Sequence, residues 1–416
     1  MRLTATPPAS AIGFSDRSPA LNVLPGFQSP PPGYGIAPFY WWLGDPITKE
    51  HLEVRGIELR MDKDGKVTPE TLEWSLNPMH PMSGKWYADG FFGEFEKKFP
   101  SEAGTGLNFF FSDELAFGVS GKIWSKDFAK EFQQLKGYDI TPELPALFKD
   151  TGPRTPKIRL DYADVLTALS EEGFFKPVFD WHQQRGMIMG CDHGGRGKDV
   201  VEFGDYFRTQ RWNQGPGSDQ PQLGKDLIKA KVASSIAHLY QRPRVWLEGF
   251  YGSSWGTSSA DLIDATFANY AMGYNLLGLH GMYYSTHGGW WEWAPPDNTF
   301  RMPYWKHLRG FMDCQQRLAY LLSQGDYRCD AAILYPVEPH QAVRCAANMV
   351  AQHSVISSAS TVARAKLPPE IGLRQGFWKP TPVPRGIGNP SRSPRRIPPG
   401  KSSSISETSW PPPSYA

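Results

Sequence analysis

Several things are scarce in this chain of 416 residues, and each scarcity excludes something. Its four cysteines (Cys191, Cys314, Cys329 and Cys345) show no metal-ligand or disulfide-framework spacing, so reduced thiols are expected. A net charge of only +2 implies no polyanion partner such as nucleic acid. No apolar run is long enough to span a membrane, and the amino terminus lacks an apolar signal-peptide core. A cytoplasmic chain is therefore the default expectation. The glycines after Cys191 make no nucleotide fingerprint, because no helix opens with the G-x-G-x-x-G spacing.

What is present is organised around Leu107-Asn-Phe-Phe-Phe-Ser-Asp113-Glu114. The run is too short and too uniformly apolar for an amphipathic helix, and reads as a buried strand. It ends on two acids, which seldom close a buried strand unless they are paired, bind a metal or act on a ligand. Arg244-Val-Trp-Leu-Glu248-Gly has the same form. Between and after these lie Met187–Cys191, leading into Asp192-His193-Gly-Gly, and Leu276–Leu279, leading into His280. Helical patterns alternate with the strands: Phe128 and Phe132 with Leu135 after Ser125, Tyr162 to Trp181 ending at Gly186, Leu227 to Ala237, and a capping box at Ser258 and Asp261.

Such alternation predicts parallel βα units and an α/β fold, a (β/α)8 TIM-barrel-like domain over 34–328. About five strands can be read, near 36–43, 107–112, 187–191, 244–248 and 276–280, with 204–222 read as a polar loop. The early βα units are missing. In their place 52–68 reads as a small β-hairpin insertion turning at Asp62–Gly65. Residues 1–33 read as a disordered lead-in, and 329–340 as the start of a truncated following domain, opening on a strand at Asp330–Tyr335. Residues 341–416 read as a low-complexity, disordered tail. A spliced or frame-shifted reading would produce both the shortened first half and the abrupt end.

Strand-terminal acids far apart in sequence suit glycoside hydrolysis, which needs one protonated and one ionised carboxyl. Burial among Phe109, Phe110 and Phe111 would raise the pKa of Glu114 and make it the acid. Glu248, beside Gly249, suits the base. The competing reading of each acid, Asp113 included, is an ion pair with Arg or Lys. Asp113, Asp192, His193 and His280 are candidate substrate contacts, and either histidine could instead be structural. Trp41 and Trp42 could stack on a sugar or plug a barrel. Trp290, Trp291 and Trp293 lie in a glycine-bearing loop that could form an exposed platform, and Asp45 and His80 are loop candidates.

Together, Tyr40-Trp-Trp-Leu-Gly44, Asn77-Pro-Met-His80-Pro, Phe110-Phe-Ser-Asp-Glu114, Gly137-Tyr-Asp139, Asp192-His-Gly194 and Glu248-Gly-Phe250 resemble glycoside hydrolase family 106. This is the α-L-rhamnosidase family with its uncharacterised relatives, whose members are often exported. The Tyr274–Leu322 region is similar to the end of that family's barrel. The resemblance spans roughly 34–340 with gaps and implies a (β/α)8 domain, inversion at the anomeric carbon and a calcium ion whose ligands it does not place. It also implies Glu114 as general acid, Glu248 as general base and a rhamnosylated glycan or oligosaccharide as partner. Two other readings stay open: a non-catalytic carbohydrate-binding remnant, and a zinc hydrolase centred on Asp192 and His193.

Overall fold

A computed structural model describes residues 11–38, 54–73, 75–119, 121–283 and 294–343. Nine strands lie among them: β1 (Ala37–Pro38), β2 (Ile57–Met61), β3 (Val67–Thr71), β4 (Phe109–Leu115), β5 (Lys122–Trp124), β6 (Ile188–His193), β7 (Gly215–Gln220), β8 (Trp246–Gly249) and β9 (Leu276–Leu279). Six form one sheet in the order β4-β6-β7-β8-β9-β1, and every pairing in it is parallel. From β4 onward spatial order follows chain order, and the last strand then pairs with the first. That return to the start is how a sheet curls toward a ring; an open, doubly wound sheet reverses its order at a switch point. Among the described residues the result is a six-stranded, barrel-like sheet with β4 and β1 at its edges.

The expected hairpin is present as β2 and β3, turning at Asp62–Gly65, and β5 adds a third antiparallel strand. The helices follow the sequence closely. Helix α1 (Phe128–Lys136) buries Phe128 and Phe132 and stops at Gly137, whose φ of 79° is the left-handed conformation that glycine adopts without strain. Its Leu135 points to solvent, and its first turn starts at Asp127 without side-chain capping from Ser125. Helix α2 (Thr155–Ser170) runs through a π-turn at Glu171–Phe175 into α3 (Lys176–Arg185). Helix α4 (Leu227–Leu239) is capped by Asp226, and α5 (Ser259–Ala271) by the Ser258–Asp261 box. Helix α6 (Leu308–Ser323) closes the series.

Strand β7 was not expected, because it lies in the stretch read as a loop. Gly-Pro-Gly-Ser-Asp-Gln carries no hydrophobic signal, yet all six residues are buried. The apolar matter here comes from a neighbour. A Cβ on Gly217 would lie 2.3 Å from the carbonyl oxygen of Trp246 and 2.4 Å from its ring, so the glycine makes room for the fully buried tryptophan. Polar atoms on β7 are paired: Ser218 with the Tyr274 hydroxyl, and Gln220 with the Asp226 backbone in both directions at 3.1 Å.

Two expectations about the ends of the domain do not match the structure. Residues 11–33 carry a helix (Val23–Gln28) and lie against α6. Buried Arg244 ties them down, donating to Gly33 O at 2.7 Å and to Asn275 O at 2.6 Å with its guanidinium 4.9 Å from the Tyr34 ring. Proline and serine content did not prevent order there because a buried cation needs those carbonyls. Asp330–Pro336 forms no strand, since a strand requires a partner and none of the described residues supplies one. Instead Tyr335 donates to Gly197 O at 2.8 Å, and α7 (Val337–Val343) packs on α2. Of the tail from 341, only 341–343 are described.

If β7 is a strand because Trp246 fills its glycine gap, Gly217→Ala should cost about 3 kcal/mol by overpacking. Urea unfolding would read this, and an unchanged midpoint would refute the packing account.

Candidate active site

The carboxyl ends of adjacent parallel strands each present an acid: Asp113 and Glu114 on β4, Asp192 on β6, Asp219 on β7 and Glu248 on β8, with His280 just after β9. Asp219 and Glu248 are paired in register. On β4 the register jumps, so that Ser112 faces Cys191 and Leu115 faces His193. Two residues, Asp113 and Glu114, thus stand opposite the single Asp192, which is a β-bulge. Glu114 sits there at φ 41°, a left-handed conformation uncommon outside glycine. The bulge breaks the usual alternation and lets both acids address the same cleft. The Glu114 N–H then donates to Asp192 Oδ1 at 3.1 Å.

Arg196 stands among these acids. Its Nη2 contacts the Glu114 carboxylate, and its Nε lies 2.8 Å from Asp219 Oδ1 and 3.9 Å from Asp192 Oδ2. The Nε contact is an ion pair without hydrogen-bond alignment. Lys229 adds a second cation, 2.6 Å from Asp219 Oδ1. Asp219 is therefore the acid with two counter-charges, whereas Glu248 Oε2 and Asp192 Oδ2 are buried with no hydrogen-bond partner.

Protonation follows from this layout. Burial, then the negative charge of Asp113, Asp192 and Asp219, pushes Glu248 well above the ordinary carboxyl range, with Arg196 only partly opposing. Burial first, then Asp219 and Asp113, does the same to Asp192. Asp113 is raised by desolvation in the cleft and by Asp219, against Arg196. It keeps contact with solvent, which moderates the effect. His280 is pushed down to about 4 by burial and stays neutral. The Tyr283 hydroxyl donates to Ala294 O at 2.9 Å, so at 3.1 Å it can only accept from His280 Nδ1–H. His280 Nε2 lies 4.0 Å from Glu248 Oε1. Tyr251 lies against His280, with ring centroids 5.5 Å apart, and feels Asp219, Arg196 and Glu248.

The expected division of the two glutamates is corrected here. Glu114 is not buried among phenylalanines: the bulge turns it outward, its side chain is 52% exposed, and its carboxylate is paired with Arg196. Glu248, at 4% exposure, is the dry one. His193 is buried but faces away from Asp192, since successive strand residues point to opposite sides. Its ring packs on Phe175, Phe203 and Tyr206, and its Nε2 bonds Thr209 Oγ1 at 3.0 Å. It is a structural histidine, and a zinc centre built jointly on Asp192 and His193 is ruled out by that opposition. His80 accepts from Met82 N at 3.2 Å within its own turn. Trp41, Trp42, Asp45, Trp290, Trp291 and Trp293 lie outside the described residues. Asp219, Arg196, Lys229 and Tyr251 were missed. One signal was available: His193 to Trp246 is too long for a single βα unit of about 30 residues, so a strand had to lie between.

A family model described as α-L-rhamnosidase, glycoside hydrolase family 106, matches residues 68–350. The chain belongs to that family. This rhamnosidase-family chain is also 24% identical over 246 residues to a protein of Formosa agariphila provisionally named a β-glucuronidase, covering 55% of this chain and 20% of that protein. A rhamnosidase structure from Novosphingobium sp. PP1Y shares its fold at a TM-score of 0.50 and 18% identity, over 65% of this chain and 27% of that one. The chain thus spans between a fifth and about a quarter of the length of these relatives.

The calcium ion that the family resemblance implies can be tested against the cleft. Oxygen-only carboxylates, two of them with unpartnered oxygens, are suitable donors. Among the described residues no group of three or more His, Cys, Asp or Glu side chains is arranged to hold a metal ion. Arg196 supplies the positive charge where Glu114, Asp192 and Asp219 meet. The cleft of this rhamnosidase-family chain is built around a guanidinium.

The folded chain keeps a proton on Glu248 that the unfolded chain loses near pH 4.5. The folded state then binds more protons above that pH, so this residue's effect on stability becomes more adverse as pH rises through the interval up to the folded pKa. Glu248→Gln should therefore melt higher than wild type at pH 8, and the gap should close by pH 4. A variant that melts lower at pH 8 would contradict the electrostatics described.

Proposed function

We propose that this chain is a glycoside hydrolase acting by inversion on α-L-rhamnosides or a related glycan, with Glu114 and Glu248 as its two carboxyls. One observation carries the reading. Adjacent parallel strands bring these acids, far apart in sequence, to one cleft, with Glu114 at its rim and Glu248 buried at its floor. A sugar entering such a cleft points its leaving group outward, toward Glu114. The face it turns to the floor meets Glu248, with Tyr251 and His280 as an aromatic wall.

In this arrangement Glu248 takes a proton from water as the water oxygen bonds to the anomeric carbon. Glu114 gives its proton to the departing glycosidic oxygen, so the bond breaks without releasing an alkoxide. Glu248 can act as base only when ionised, which its burial opposes in the free protein, so turnover requires that it first lose its proton; its raised proton affinity then makes it the stronger base. Glu114 must be protonated to serve as acid, which the Arg196 contact opposes in the free protein. Substrate binding therefore has to draw Arg196 away from Glu114, toward Asp219 or the sugar hydroxyls. The ring of strands, which does not close among the described residues, favours a second reading, a carbohydrate-binding remnant without turnover.

Release of a chromophore from a panel of aryl glycosides, α-L-rhamnoside and β-D-glucuronide included, with and without a calcium chelator, separates the two readings. Saturable sugar binding with no turnover on any substrate would support the remnant. If the enzyme reading holds, Glu248→Gln abolishes turnover and leaves sugar binding largely intact, while Glu114→Gln recovers on substrates with activated leaving groups. Equal loss on every substrate would remove Glu114 from the acid role. Arg196→Gln should shift the alkaline limb of kcat/KM to higher pH, because Glu114 then holds its proton longer. An unmoved limb would disconnect Arg196 from the acid.

A further inference from the structure

Asp192 is a buried carboxyl of the cleft to which the proposed chemistry gives no part. It closes β6, is shut off from solvent, and meets Glu114 from two sides. Its Oδ1 accepts from the Glu114 backbone N–H at 3.1 Å. Its Oδ2 lies 3.9 Å from Nε of Arg196, the residue whose Nη2 contacts the Glu114 carboxylate. That second oxygen has no hydrogen-bond partner.

Glu114 needs such support. Regular pairing of β4 with β6 lapses between Ser112 and Leu115, and there the Glu114 N–H finds a side chain as its acceptor. On its other side β4 has no strand neighbour among the described residues. A φ of 41° is one that a residue with a side chain keeps only where its surroundings hold it. Packing fixes the chain before and after the bulge. Phe111 lies on Trp246 with ring centroids 4.1 Å apart, and buried Phe117 meets Phe174, Phe175 and Phe203 at 4.7, 5.8 and 4.9 Å. Between those anchors Asp192 reaches in from a backbone that is itself held, because neighbouring His193 is tied to Thr209 on the opposite face of β6.

We infer that Asp192 is the positioning residue of the proton donor: by accepting from the Glu114 N–H it holds the left-handed bulge and keeps the Glu114 carboxyl turned out over the cleft, toward a leaving group. Without that acceptor the bulge can relax to ordinary pairing, in which Asp113 and Glu114 point to opposite faces and the fixed place of Glu114 beside Arg196 is lost. This role, which rests on the reading of Glu114 as the acid, requires an acceptor oxygen at position 192 and not a negative charge. Burial and the charges of Asp219 and Asp113 already drive Asp192 toward its neutral form. A neutral carboxyl still offers the N–H its carbonyl oxygen.

Two variants of similar volume separate the acceptor from the charge. Asp192→Asn keeps an oxygen for the Glu114 N–H, whereas Asp192→Leu offers none and leaves little room for a substituting water. Both are assayed in the full chain for kcat and KM on two α-L-rhamnosides, one with an activated aryl leaving group and one with an unactivated alkyl group. Asp192→Leu should lose at least about 100-fold in kcat on the alkyl rhamnoside, the usual worth of general acid catalysis, and less than about tenfold on the activated one. KM should stay within about threefold for both, since the interaction lost is made in the transition state. Asp192→Asn should recover most of the loss on the alkyl rhamnoside. Equal losses of kcat on the two substrates would overturn the positioning role, as would a loss in Asp192→Asn as large as in Asp192→Leu. A matching rise in KM on both would make Asp192 a sugar contact instead. Should Asp192→Leu fail to fold, Asp192→Ala is read by the same ratio of the two rates. Glu114→Gln on the same pair keeps the two levels apart. Leaving-group discrimination in Glu114→Gln but not in Asp192→Leu would remove the positioning role alone. Equal loss in Glu114→Gln, or wild type without turnover on either substrate, would remove the acid reading and the positioning role together.

Discussion

Like charges do not gather at one end of a sheet without compensation, and Arg196 is what lets them do so here. Five carboxyls converge from four neighbouring strands, and a single guanidinium touches or approaches three of them. With Lys229 held by Asp219, two cations stand in the cleft among the described residues. The deficit is met by protonation: Glu248 and Asp192, buried acids that each keep an oxygen without a hydrogen-bond partner, are driven toward their neutral forms. The reactive character proposed for Glu248 thus follows from its neighbours as much as from its own burial.

The cleft also depends on two local irregularities. A β-bulge puts Asp113 and Glu114 opposite one residue, and a left-handed Glu114 carries its carboxylate out to Arg196. Without the bulge, alternation would turn one of the two acids back toward the helices, as it does His193. Strand β7 is the second. It is polar and glycine-bearing, and it is buried because Trp246 supplies the apolar volume the strand lacks. That exchange brings Asp219 to the strand end beside Glu248, where a more hydrophobic strand would have been easier to read but would have lacked the acid.

The two ends of the sheet hold opposite charge, acidic where the strands finish and basic where β8 and β9 begin. Arg244, buried at that basic end, shows what a satisfied buried arginine looks like: backbone carbonyls and an asparagine take up its donors, and an aromatic ring lies against its face. Arg242 has the ring but not the acceptors.

Apolar run length, helix caps and glycine stops determined, from the sequence alone, the parallel α/β plan, five of the six core strands, most of the helices, the hairpin, and Glu114 and Glu248 as acids at strand ends. These features are local, set by side chains within a few positions of each other. Only the tertiary structure decided that β7 is a strand, that residues 11–33 are ordered, that His193 is structural, and that Arg196 and Asp219 belong to the cleft. It also decided that Glu248, not Glu114, is the dry carboxyl. Each of those depends on a partner distant in the chain: Trp246 for β7, Arg244 for the lead-in, the register of β4 against β6 for Glu114. Burial and charge at a site are sums over neighbours in space, and a sequence lists only neighbours along the chain.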